Sequence, residues 1–278
     1  MSSEGRMTDR TGEQPPKLSA VLIVRNEAHC IGLCLRSIAP IADEIVVLDA
    51  GSTDATAAIA RSFGARVEVA DWPGFGPQKN RALAQARGEW VLAIDADEHL
   101  TPELADSIRA AIESPDTPVN GYFIKFLATW CGEPVRFGAW GGQRHLRLFR
   151  RRCAKFSDDL VHERVICQPP HATLEGLMIH DTVATEEEAT EKALRYAEAG
   201  AGSLIERGRG GPSAALFHAV WTFVRGFVFQ GGFLDGAVGW KVALACARGT
   251  WLRYRIAGHQ LAARRARTHK SSGEVPLR

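Results

Sequence analysis

Leu18-Ser19-Ala20-Val21-Leu22-Ile23-Val24-Arg25-Asn26-Glu27 is a nearly continuous apolar run that stops at three polar residues. A run without polar alternation reads as a strand covered on both faces. The pattern returns twice. Glu44–Leu48 ends in Asp49-Ala50-Gly51-Ser52-Thr53-Asp54, and Glu89–Ile94 ends in Asp95-Ala96-Asp97-Glu98. Ala65–Ala70 supplies another strand between them, and helical stretches separate all four. Strands that alternate with helices at this spacing predict right-handed βαβ units and a parallel sheet, hence an α/β fold. Ligands of such sheets lie at the carboxyl ends of the strands, which are the places where this sequence turns acidic and polar.

The rhythm changes beyond the helix near Pro102–Ile112. Tyr122–Thr129, Glu133–Phe137 and His145–Phe149 read as strands too close together for crossover helices, so they are expected to pair antiparallel. From Thr185 the pattern is helical: Thr185–Arg207, Ser213–Leu234 and Gly239–Leu261, separated by glycine clusters. The expected organisation is a polar, disordered lead-in over residues 1–17, a site-bearing α/β domain over 18–182 and a helical appendage over 183–278. The lead-in has no apolar core of the kind a secretion signal needs.

The 278 residues carry a formal net charge of only +2, but the charge is unevenly placed. Residues 1–135 hold 12 Lys and Arg against 19 Asp and Glu, whereas 136–278 hold 22 against 13. Two blocks are distinctly basic: 136–155 has seven cations and no anion, and the end of the chain beyond 248 is cationic again. Six scattered cysteines without a CxxC pair read as reduced, mostly buried thiols of a cytosolic protein, and Cys30 and Cys34 lack the second pair a zinc site would need.

Three acidic clusters along one sheet edge repel one another unless a cation or a hydrogen-bonding ligand sits among them. Asp95-x-Asp97 at a strand end suits a hard divalent cation that keeps positions open for diphosphate oxygens. Ser52 and Asp54 equally suit the start of the next helix as caps. No G-x-G-x-x-G follows the first strand, and the chain has neither a P-loop nor a G-x-S-x-G elbow, which argues against a dinucleotide dehydrogenase, a P-loop kinase and an α/β-hydrolase.

The strings Val24-Arg25-Asn26-Glu27, Val47–Asp54, Gly74-Phe75-Gly76-Pro77-Gln78-Lys79-Asn80 and Ile94–Glu98 resemble glycosyltransferase family 2, and more narrowly its lipopolysaccharide core glucosyltransferase branch. The likeness runs from about Leu18 into Gly231-Gly232-Phe233-Leu234-Asp235-Gly236. It implies a mostly parallel nucleotide-sugar-binding sheet flanked by helices, of the glycosyltransferase A type, and transfer with inversion. By the same resemblance Asp49 contacts the nucleobase, with Asn26, Glu27 and Ser52 beside the nucleoside. Asp95 and Asp97 hold ribose and a metal-bound diphosphate, the metal being Mg2+ or Mn2+, and Lys79 neutralises phosphate charge.

Inversion needs a base to take the proton of the attacking hydroxyl. Ser157-Asp158-Asp159-Leu160-Val161-His162-Glu163 is the acidic cluster downstream of the acid-x-acid strand, and its Val-His-Glu matches a string of this branch. Glu163 is therefore the candidate base and Asp159 the second candidate. His180 and His162 are candidates to complete metal or diphosphate binding. Among Arg144, Arg147 and Arg150, strand alternation lets only some face one ligand.

Residues 213–247 are rich in Leu, Val, Phe and Trp, but Arg225, Asp235 and Lys241 interrupt them, so an interfacial helix beside the basic tail is expected rather than a membrane span. The tail lacks the interleaved aromatics of a nucleic-acid module, so no nucleic acid is expected as partner. The resulting expectation is an inverting, metal-dependent hexosyltransferase, peripheral on the cytoplasmic face of the inner membrane. It would move glucose from UDP-glucose to a lipid-linked lipopolysaccharide core saccharide. Transfer to polyprenyl phosphate, a non-catalytic nucleotide-sugar-binding role and nucleotidyl transfer are the alternatives.

Overall fold

The computed structural model describes residues 15–114, 117–159 and 163–272, and, within the last helix, side chains as far as Arg264. The chain runs β1 (Leu18–Val24), α1 (Ile31–Ile38), β2 (Glu44–Asp49), α2 (Thr56–Ser62), β3 (Arg66–Val69), α3 (Phe75–Gln85), β4 (Trp90–Ala93), β5 (Glu98–Leu100) and α4 (Pro102–Glu113). It continues through β6 (Gly121–Trp130), β7 (Glu133–Val135), β8 (Arg144–Arg150), β9 (Ala154–Phe156), β10 (Val165–Cys167) and β11 (His171–Val183). Helices α5 (Glu186–Glu206), α6 (Pro212–Val224) and α7 (Gly236–Ser272) close it. The expected lead-in falls largely outside the described residues.

Two compact units divide the chain: Met1–Leu127 with Gln143–His180, and Ala128–Gly142 with Asp181–Arg278. In the first, the sheet order is β3-β2-β1-β4-β8-β6-β11-β5. The strands β3, β2, β1 and β4 are parallel; β8 and β6 join by antiparallel pairing, as the short spacings predicted, and β5 pairs antiparallel with β11. The architecture is α/β with a parallel centre flanked by helices and a helical C-terminal region.

Strand β1 shows why the centre is parallel. Leu18, Ala20, Leu22 and Val24 pack under α1 and α4 with Ile31, Leu35 and Leu104, while Val21 faces Ala82, Leu83 and Phe149 on the other side. Both faces are covered, so the strand tolerates no polar alternation. Helix α3 begins at Phe75, inside the stretch Trp72-Pro73-Gly74-Phe75-Gly76-Pro77 whose prolines and glycines read as a loop, because Pro77 is compatible with a first helical turn. The stretch 213–234 is also not one helix: α6 ends at Val224, a π-helical turn spans Arg225–Phe229, and a 3-10 turn spans Gly232–Asp235. Among the cysteines only Cys34 is buried; Cys131 is exposed and the rest lie between, which corrects the expectation of mostly buried thiols. All six are free.

At the opposite sheet end from the acidic loops, Glu44 ties four segments together. Its carboxylate accepts from Ser19 Oγ at 2.6 Å, from Arg87 N and Nε at 2.9 and 2.8 Å, and from Arg66 Nη2 at 3.3 Å. Burial pushes the carboxyl up, but the hydrogen bonds from Ser19 and Arg87 outweigh it and hold it below its usual 4.5. A lowered folded value means stability that is present above pH 4.5 and lost as pH falls below it. Glu44→Gln should therefore cost about 1–3 kcal/mol at pH 7, with a deficit that shrinks on acidification. Urea unfolding at pH 7 and pH 4 checks this, and a deficit independent of pH would refute it.

Candidate active site

The parallel strands bring three polar ends to one edge. Register pairs Val24 of β1 with Asp49 of β2, and Val21 with Ala93 of β4, so Asp95 emerges beside the end of β1. On the nucleoside side the residues brace one another. Asp49 is buried, and its Oδ1 accepts from Ser52 N at 2.8 Å and Ser52 Oγ at 2.7 Å. Ser52 Oγ accepts from Asn26 N, and Asn26 Oδ1 accepts from Thr53 N. Asn26 has φ +57°, a left-handed conformation that asparagine tolerates better than most residues. Asp54 accepts from Ala28 N and from Thr56 N, so it joins the β1 and β2 loops; the cap position of α2 falls on Ala55, without a side-chain cap bond, and on neither Ser52 nor Asp54. Glu27 N donates to Thr56 Oγ1. Among the described residues, Glu27, His29 and Cys30 are the one group of three potential metal donors within 4.8 Å of one another.

At the end of β4 the geometry is ionic. Lys79 Nζ lies 3.0 Å from Asp95 Oδ1 and 2.8 Å from Glu163 Oε1, bridging the first acid of the acid-x-acid string to the candidate base. Arg147 Nη2 lies 2.9 Å from Asp95 Oδ2 and 2.6 Å from Glu98 Oε1. Glu98 Oε2 in turn accepts from Asp95 N at 2.9 Å. Asp95, Glu98 and Glu163 therefore carry counter-ions from the chain itself, whereas Asp97 faces His180. Lys79 comes from α3 and Arg147 from β8, far away in the chain.

These contacts set the charges. Burial raises the Asp95 carboxyl, yet Lys79 and Arg147 outweigh it and hold it well below the usual carboxylate range. Burial pushes Glu98 up to about 7, with Arg147 pulling it down and Asp95 adding to the rise. Burial lowers Lys79, but Asp95 and Glu163 more than compensate, so it stays an ammonium ion. His180 Nε2 lies 3.3 Å from Asp97 Oδ2; burial lowers the imidazole, and the Asp97 contact more than reverses this.

The residues fit a divalent cation in part. Asp97 and His180 present a carboxylate oxygen and an imidazole nitrogen 3.3 Å apart, both about a third exposed, a donor pair that suits Mn2+ and tolerates Mg2+. Both oxygens of Asp95 already face cationic side chains. Its part in binding a metal would require one of them to give way.

The segment before Glu163 is held against α3. Asn80 Nδ2 donates to Phe156 O and its Oδ1 accepts from Phe156 N, both at 2.9 Å, so Asn80 clamps backbone. Gly76 N donates to Asp159 O, and a Cβ at Gly76 would stand 2.0 Å from the Ser157 carbonyl oxygen, so only glycine permits this approach. Asp159 Oδ2 accepts from Ser157 Oγ at 2.8 Å, within its own loop, and is not among the ion pairs around Lys79. His162 lies outside the described residues. Arg150 lies over the Trp90 ring and pairs with Glu89, and Arg144 lies over Phe123, so Arg147 is the arginine of this strand that reaches the acids. Arg147 and Glu98 were visible in the sequence only as members of a basic and an acidic cluster. Gln78 shows a further feature: it is fully buried, and neither amide atom has a hydrogen-bond partner.

A parallel sheet whose acid-rich carboxyl edge holds paired cations and a second acidic loop is the framework of a glycosyltransferase, and relatives in sequence carry that name. The chain is 30% identical to an uncharacterized glycosyltransferase of Rickettsia bellii over 85% of this chain and 84% of the relative. It is 31% identical to the lipopolysaccharide core biosynthesis glycosyltransferase LpsC of Rhizobium meliloti, over 69% and 73%. Residues 19–129 match the model of glycosyl transferase family 2, and the chain belongs to that family. Among solved structures, it matches Staphylococcus aureus TarS 1-349 in complex with UDP at 29% identity and a TM-score of 0.35, covering 41% of this chain and 36% of that one. Glucosyl-3-phosphoglycerate synthase of Mycobacterium tuberculosis, solved with Mn2+, UDP-glucose and phosphoglyceric acid, matches at 29% and 0.34, over 41% and 44%. The chain thus spans less than half of either solved chain.

Proposed function

We propose that this family 2 enzyme transfers a hexose, glucose from UDP-glucose, with inversion to a hydroxyl of a lipid-linked lipopolysaccharide core saccharide at the cytoplasmic face of the membrane. The observation that carries the reading is the Lys79 bridge, which puts Asp95 and Glu163 on one ammonium ion. Asp49, Ser52, Asn26 and Glu27 hold the nucleoside at the ends of β1 and β2. Gln78 has unused bonding capacity for the donor, since a buried amide left without partners costs about 1–3 kcal/mol until a ligand satisfies it. A diphosphate entering beside Asp95 competes with both carboxylates for Lys79 and so releases Glu163.

Glu163 then takes the proton of the acceptor hydroxyl as its oxygen bonds to the anomeric carbon. The bond from that carbon to the diphosphate breaks, and its electron pair leaves with UDP. Lys79 and Arg147 face the charge that develops on the leaving group. Asp97 and His180 are the residues that would hold Mg2+ or Mn2+, which when bound takes up part of that charge. Asp159 stands as the second candidate for the base.

A panel of sugar nucleotides incubated with truncated lipopolysaccharide, scored for nucleoside diphosphate, tests the reading. UDP release from UDP-glucose that requires both acceptor and divalent metal is expected; pyrophosphate release would indicate nucleotidyl transfer instead. Asp97→Ala should raise the metal concentration needed for half-maximal rate by at least about a hundredfold. An unchanged metal requirement would remove Asp97 from the metal site.

A further inference from the structure

Helix α6 is inside out. It buries Ala215 and Ala219 and exposes Leu216, Phe217, Val220 and Trp221, with Phe217 69% accessible. The exposed face continues through the π-helical turn in Val228 and Phe229 and through the 3-10 turn in Phe233 and Leu234. Ring contacts knit these segments together: Trp221 with Phe229 at 5.9 Å, and Phe227 with both Phe233 at 6.4 Å and Trp240 at 5.4 Å. Side chains of this size are ordinarily the ones a helix buries. An unbroken exposed patch of them marks a surface that meets something apolar.

Charge identifies what it meets. On α7, Trp240, Leu244, Arg248, Trp251 and Arg255 recur every three or four residues, a single helical stripe that combines apolar and cationic side chains. The Arg255 guanidinium lies 5.5 Å from the Trp251 ring. Residues 236–272 contain eight Lys and Arg and no Asp or Glu. Between Arg207 and Gly273 the sole acid is Asp235, whose Oδ2 accepts from the backbone N–H groups of Arg136 and Phe137. Lys241 is answered by Glu186 of α5 at 2.9 Å and Arg248 donates to Thr190 of α5, but a two-fold dimer through this face would set the remaining arginines against their copies with no acid on α6 or α7 to answer them. An anionic bilayer answers both features, since rings enter the acyl boundary while arginines stay at the phosphates. No helix among the described residues is long and apolar enough to cross a membrane.

We infer that the α6 to α7 face of the second unit docks on an anionic lipid surface, with Phe217, Trp221 and Phe229 inserted and Arg225, Arg248 and Arg255 at the headgroups. The inference deepens the membrane location and lipid-linked acceptor of the proposed function and rests on neither its donor nor its chemistry. The test is flotation of the full chain with phosphatidylcholine vesicles, neutral or carrying about 30% phosphatidylglycerol. Turnover of UDP-glucose on a delipidated, soluble core saccharide is measured in parallel.

The full chain should float with anionic vesicles and much less with neutral ones. Phe217→Glu/Phe229→Glu and, separately, Arg248→Glu/Arg255→Glu should each weaken vesicle binding by about tenfold or more without changing soluble turnover. The second pair leaves the aromatic patch intact, so it tests the inference even if the first unfolds. Absence of flotation, indifference to anionic lipid, or a dimer in lipid-free buffer that Phe217→Glu/Phe229→Glu dissociates would overturn the docking surface. Flotation without any turnover would instead overturn the proposed reaction and leave the surface standing.

Discussion

Glu163→Gln is expected to lower kcat for transfer by about 10²–10⁴, the usual worth of a positioned general base. Gln keeps the size of the side chain and can still bond Lys79, so the fold and the loop should survive. What it loses is the capacity to accept the acceptor proton. Its KM for the donor should stay the same or fall, because Lys79, no longer shared with a second carboxylate at 2.8 Å, is freer for the diphosphate. Steady-state kinetics on the purified variant separate these effects. A wild-type kcat in Glu163→Gln, with a collapse in Asp159→Asn, would move the base to Asp159.

Arg147→Ala should be the most destabilising single change in the site, at about 3–5 kcal/mol, the range for breaking a buried ion pair from one side. Its Nη2 faces both Asp95 and Glu98; Asp95 keeps Lys79 at 3.0 Å, so the deletion strands the buried Glu98. The pH dependence has a definite sign. Glu98 in the folded chain is already raised to about 7 from 4.5, so the stability linked to its protonation is full below pH 4.5 and lost as pH rises through 7. Without Arg147 the carboxyl rises further, and the deficit of the variant must grow between pH 6 and pH 8. Denaturant unfolding at the two values checks it; Arg147→Lys, which returns the charge, should recover much of the loss. A deficit equal at both pH values would mean that Glu98 is not the group left stranded.

Which parts were legible follows from the range of the interactions. Leu18–Val24, Glu44–Leu48 and Trp90–Ile94 announce buried strands through their own composition, and the helices between them follow from spacing. The polar ends Asn26-Glu27, Asp49–Ser52 and Asp95–Asp97 sit at the strand ends because the parallel topology leaves them no other place. The strand β5 was missed, since its three residues begin inside the acidic string and pair only with the distant β11. The break of the 213–234 stretch into α6 and two tighter turns was missed too, since the buried Gly226 and Gly232 pack against one another, with a Cβ on Gly232 only 2.8 Å from the Gly226 carbonyl oxygen.

The sequence by itself determined the parallel sheet, the acidic edge and the family, because each is written in residues close along the chain. Only the tertiary structure decided the charge state of that edge. Lys79 arrives on α3 and Arg147 on an antiparallel strand more than fifty residues beyond Asp95, and neither pairing leaves a local trace. Local pattern records what a segment buries. Which charge meets which, in a site where burial multiplies every electrostatic interaction, depends on packing among segments that the chain order does not reveal.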